Sequence, residues 1–153
     1  MKIILAILIC VYSNIISSKD NNLEYSFKTG MFLYKKATCN SCHLWHANGG
    51  NSHGGAAPSL RTTALSKNEL LTVIKCGRLG TNMPFFSRNY KADKSCNHIE
   101  DNIVPLKGTV LLRDNEINYL VLFINNEIKN KPITKHFCMG YFNKNNSTCE
   151  NFQ

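Results

Sequence analysis

The sequence predicts a mainly α, loop-rich domain. Three observations carry that prediction: apolar residues spaced three or four apart over 23–38, a capping box at Ser66, and a long apolar stripe opening at Asp114. In the first segment Leu23, Phe27, Gly30, Met31, Tyr34 and Ala37 share one helical face. In the second, Ser66 stands three residues before Glu69, Leu70, Leu71, Val73 and Ile74 follow, and Gly77 marks the expected stop. In the third, Ile117, Leu120, Val121, Ile124 and Ile128 line up until Lys131-Pro132 ends the run. Residues 48–58 are rich in Gly and Asn and read as a loop. Residues 79–113 hold two Pro, two Gly and little periodicity, so they are expected to be mostly loop.

At 153 residues the chain has room for one domain, and 43 % hydrophobic residues with eight Phe and six Tyr argue against disorder. Residues 1–18 read as a secretory signal peptide: Lys2, an apolar run over 3–12, then an exit containing Ser13, Ser17 and Ser18. The run is short for a bilayer span, so the expected location is exported and periplasmic, with an uncleaved anchor as the alternative. Cys10 follows bulky Leu8 and Ile9, which disfavours a lipoprotein. Of seven Cys, the mature chain then keeps six, in a compartment where free thiols rarely persist. The formal charge of +8 favours anionic partners. Export makes an acidic protein or an anionic membrane surface the expected partner and nucleic acid not.

Cys39-Asn40-Ser41-Cys42-His43 is a C-x-x-C-H sequence, the attachment signature for haem c. On one helical turn two thiols three residues apart reach the two vinyl groups of a porphyrin, and the next residue offers its imidazole to iron. One covalent haem is therefore expected. A thioredoxin-like pair would need a βαβ context, and zinc would need a second metal-spaced pair; neither surrounds this motif. Met83, in Gly80-Thr81-Asn82-Met83-Pro84, is the expected sixth ligand, ahead of Met31, Met139, His46, His53 and His98. Pro58 is expected to lend its carbonyl to the His43 ring. Four Cys remain and allow three pairings; local closure favours Cys76 with Cys96 and Cys138 with Cys149, and no catalytic thiol is expected.

Together these residues resemble class I cytochromes c, over nearly all of the mature chain. The family order of helix, C-x-x-C-H, Pro-x-Leu loop, middle helix, Met-Pro loop and last helix reads here as Gly30-x-x-x-Tyr34, the pentapeptide, Pro58-x-Leu60, residues 66–76, Met83-Pro84 and residues 115–128. The resemblance implies a cytochrome c fold in which first and last helices cross around the haem, with Gly30 against Phe123 and Tyr34 near Leu120. It divides the chain into a signal peptide (1–18), a haem domain (19–131) and a disulfide-tied extension (132–153). The usual Gly after the pentapeptide is Leu44 here, followed by Trp45. The segment from Cys76 to Met83-Pro84, with Cys96 and two later Cys, resembles small monohaem bacterial periplasmic cytochromes. Some of these accept electrons from quinoprotein dehydrogenases.

What the resemblance implies is a monomeric electron carrier and not an enzyme. Lys35, Lys36, Lys75, Arg78, Arg88 and Lys91 would ring its haem edge and dock acidic redox partners. A haem enzyme or gas sensor with a labile sixth ligand is the alternative, and a disulfide-stapled binding module is a third. Asn146-Ser147-Thr148 is a glycosylation sequon that matters only in a eukaryotic source.

Overall fold

The computed structural model describes residues 26–96, 104–142 and 146–152. The expected export segment, with Cys10, and His98 lie outside the described residues.

Helix α1 runs through 26–36 and turns out of the helix at Thr38, whose φ is +55°. A single turn, α2 (Asn40–His43), follows. A small antiparallel hairpin, β1 (Gly50–Ser52) and β2 (Gly55–Ala57), pairs Gly50 with Ala57. Helix α3 (Lys67–Cys76) starts on the reciprocal capping box read from the sequence. The Glu69 amide donates to Ser66 Oγ at 3.3 Å, and the Ser66 amide to Glu69 Oε2 at 2.7 Å. Helix α4 (Asp114–Phe123) continues into a wider π turn, Ile124–Ile128. Among the described residues no helix is long and apolar enough to cross a membrane.

The span expected to be mostly loop contains a parallel pair, β3 (Phe85–Ser87) with β4 (Lys107–Leu112), and a 3-10 turn at Lys94–Cys96. Periodicity does not reveal β3, because Phe85, Phe86 and Ser87 are all buried and no apolar–polar alternation exists. The tail also holds more structure than a tied-down end: α5 (Lys135–Phe142) buries Phe137 against Phe123, rings stacked 6.1 Å apart. The structure pairs Cys76 with Cys96 and Cys138 with Cys149, Cα atoms 5.1 and 5.5 Å apart.

The core gathers α1, α3 and α4 around Tyr34, Ile117, Leu120 and Phe123, with Leu70 and Ile74 beside them. Each fully buried side chain of this kind contributes about 1.5–3 kcal/mol. Lys36 on α1 pairs with Glu116 on α4 at 2.8 Å, and this hydrogen bond, more than that from the Arg113 amide, holds the Glu116 carboxyl down to about 2. Close approach of α1 and α4 depends on Gly30, where an added Cβ would sit 2.2 Å from Phe123 Cβ. Tyr34 reaches the same Phe123 ring at 6.3 Å and shares the core with Leu120.

Gly30→Ala sets two effects against each other. Alanine gains about 1 kcal/mol of helix propensity, while forcing a methyl into this contact costs about 1–3 kcal/mol or more, because the obstacle is a Cβ next to backbone. The expected net result is a destabilised protein, read as a lower midpoint in denaturant at unchanged m-value.

Candidate functional site

The turn α2 is closed by the His43 amide on the Cys39 carbonyl at 2.9 Å, which sets Cys39, Cys42 and His43 at helical i, i+3 and i+4 positions. All three line one cavity of about 680 Å³. Its walls are largely apolar: Leu70, Val73 and Ile74 from α3, Phe86 from β3, Ile124 from the π turn, and Leu60 and Leu65 from the loop between β2 and α3. Met83 and Pro84 complete the lining.

The β1–β2 hairpin is pinned to the turn by Ser52, whose hydroxyl donates to the Ser41 carbonyl, and by the Gly54 amide, which donates to the same carbonyl at 3.1 Å. Gly54 leaves room for a sulfur, since an added Cβ there would fall 2.7 Å from Cys42 Sγ. The hairpin hands the chain to Pro58, whose carbonyl accepts from His43 Nδ1 at 3.0 Å. With Nδ1 carrying the proton, Nε2 is the nitrogen left for a metal. His43 is 8 % exposed, and burial pushes its pKa down against the opposing pull of the Pro58 bond, keeping the ring neutral.

Leu44 leaves the turn at φ +64° and ψ 167°, a region that L-residues rarely enter, and Ala47 follows at φ +62°. Each such residue costs about 1–3 kcal/mol. Glycine at position 44 would remove that strain, which gives a physical meaning to Leu44 as a departure from the usual pattern. Tyr34 Oη donates to the Leu44 carbonyl at 2.8 Å, and burial pushes the phenol pKa far up, so it remains a donor.

Met83 is half-buried on a loop folded back over the end of α3, where the Arg78 amide donates to the Met83 carbonyl at 3.0 Å. Cys76–Cys96 and an ion pair of Lys75 with Asp93 brace this region; Lys75, then Ser95, hold the Asp93 carboxyl down to about 2.

Other expected residues lie elsewhere. Met31 is buried in the core, Met139 sits half-buried on α5, His53 is exposed, and His46 Nδ1 accepts from the Asn48 amide at 3.1 Å. None of these four lines the cavity. Of the six cations expected at its edge only Arg78 lines it. Lys36 and Lys75 are drawn into ion pairs, Arg88 Nε donates to the Leu111 carbonyl at 3.1 Å, and Lys35 donates to the Tyr141 carbonyl. Lys107, which sequence reading did not single out, joins Arg78 in the lining because β4 forms part of the wall.

Two sulfurs and a neutral imidazole on one face of an apolar cavity, with a thioether in the same lining, form a donor set that fits a haem. A dithiol redox pair fits poorly, because burial pushes the Cys39 thiol up to about 12, opposite to the lowered pKa such chemistry needs. Among the described residues no three His, Cys, Asp or Glu side chains converge to hold an ion, so zinc finds no ligand set there.

Gly77 tests how the Met83 loop is seated. It has φ +71°, and an added Cβ would lie 2.8–3.0 Å from the backbone of Met83, Pro84 and Phe85. Gly77→Ala is expected to cost about 1–3 kcal/mol, read in thermal or denaturant unfolding.

Residues 26–96 match the family model described as cytochrome C oxidase, cbb3-type, subunit III. Neither the curated proteins nor the solved structures yield a match. The matched segment contains the pentapeptide, Pro58 and Met83, and the match supports a c-type cytochrome domain there.

Proposed function

We propose that this chain is a monomeric, exported single-haem c-type cytochrome that carries one electron at a time between redox proteins. The observation that carries the reading is that Cys39, Cys42, His43 and Met83 line one and the same apolar cavity. Cys39 and Cys42 would hold the haem through thioethers, and His43 and Met83 would ligate its iron. When bound, the haem supplies an iron that gains and loses one electron. The protein's part is to keep that change inexpensive. Pro58 fixes the His43 ring, the folded-back loop holds Met83, and the apolar walls exclude water that would otherwise reorganise.

Arg78 and Lys107 place positive charge at the cavity, which supports an acidic docking face on the partner. A quinoprotein dehydrogenase is the proposed donor, and residues 1–18 would direct the chain to the periplasm. Residues 132–153 would form an extension added to the haem domain. No enzymatic step is assigned, because electron carriage would ask only that His43 and Met83 hold the iron.

Absorption spectra of the periplasm-expressed protein test this reading. The oxidised form is expected to be low-spin with a Met–iron charge-transfer band. Met83→Ala is expected to abolish that band and lower the reduction potential, since a thioether favours ferrous iron. A high-spin wild-type spectrum would instead favour the haem enzyme or gas sensor.

A further inference from the structure

Trp45 follows His43 by two residues, and the C-terminal extension cages it. Its ring centroid lies 5.0 Å from that of Phe142, 5.7 Å from Phe152 and 6.1 Å from Tyr141. Phe152 is kept within reach by the Cys138–Cys149 disulfide, which joins α5 to the 3-10 turn Ser147–Asn151. Arg61 supplies a second grip. Its Nε donates to the His46 carbonyl at 2.6 Å and its Nη1 to the carbonyls of Lys131 at 2.8 Å and of Pro132, where the extension begins, at 3.2 Å, while its Cζ lies 4.7 Å from the centroid of the Phe137 ring. Arg61 is only 5 % exposed. It is held by three backbone carbonyls and one aromatic face.

The extension therefore holds both limbs of one loop: the limb leaving His43, through Trp45 and His46, and the limb leaving Pro58, through Arg61. Between the limbs run the bond from His43 Nδ1 to the Pro58 carbonyl at 3.0 Å and that from the Leu60 amide to the Ala47 carbonyl at 2.9 Å, while the first limb is closed on itself by the Gly49 amide on the His43 carbonyl at 3.1 Å. Leu44 and Ala47, both at positive φ, lie on the first limb, so its backbone gains by relaxing unless something outside holds it.

We propose that the C-terminal extension is a clamp on the His43 side of the cavity, with Trp45 and Arg61 as the positioning residues that hold the imidazole against the Pro58 carbonyl. This rests on the reading of His43 as an iron ligand. A tail that merely enlarges the core through Phe137 predicts a uniform loss of stability when weakened; a clamp predicts a local one.

Solvent exchange of the His43 Nδ1 proton, followed by NMR in the reduced, haem-loaded full chain, separates the two. The Leu120 amide in α4 is the internal reference. Trp45→Ala and Phe152→Ser are each expected to speed His43 exchange about tenfold more than Leu120 exchange, and Trp45→Phe to bring it back within about twofold of wild type. Should Trp45→Ala fail to fold, Phe152→Ser carries the test alone. Equal acceleration at both protons, or none at either, overturns the clamp. A wild-type chain that takes up no haem overturns the functional reading itself, and the clamp with it.

Discussion

One turn of helix governs the arrangement of this molecule. The bond from the His43 amide to the Cys39 carbonyl closes α2, and its consequence is that two sulfurs and an imidazole reach the same cavity wall. Around that turn the surroundings are shaped to its side chains. Gly54 yields space to Cys42, Pro58 turns its carbonyl to His43, and the capped helix α3 contributes an apolar wall. Strain at Leu44 and Ala47 is tolerated because bonds from the Tyr34 hydroxyl to the Leu44 carbonyl and from the Leu60 amide to the Ala47 carbonyl over-determine the loop path.

The scaffold does two separate jobs. The crossing of α1 on α4 at Gly30 and Phe123 sets the spacing of the core and delivers the chain into the pentapeptide. The long middle segment is ordered by other means: a disulfide, an ion pair, a parallel strand pair and a folded-back loop. These brace the Met83 loop at the end of α3, and Met83 packs in turn against the core that α1 and α4 share.

Local rules made part of this legible. Apolar spacing over 23–38, 66–76 and 114–128 points to helices, which the structure describes at 26–36, 67–76 and 114–123, and the Ser66–Glu69 box marks one start to the residue. The pentapeptide, Pro58 and Met83 are picked out by short motifs, and the fold brings them to the lining of one cavity. What stayed hidden depends on distant partners. The β3–β4 pair joins residues across a connection of about twenty, with every β3 side chain buried, so no alternation marks it. Leu44 stands out as a departure, but the aromatic neighbours of the Trp45 that follows it, Phe142 and Phe152, come from the other end of the chain. A ring of basic residues could not be read from composition, because Lys36 and Lys75 are neutralised by Glu116 and Asp93.

The central claim is covalent: Cys39 and Cys42 each form a bond to one shared macrocycle. Intact-mass spectrometry of the chain, produced with a c-type maturation system and followed by peptide mapping, addresses it directly. The account predicts the polypeptide plus one haem, with the added mass on the peptide holding both cysteines. A bare polypeptide, with two unmodified thiols in that peptide, would contradict it.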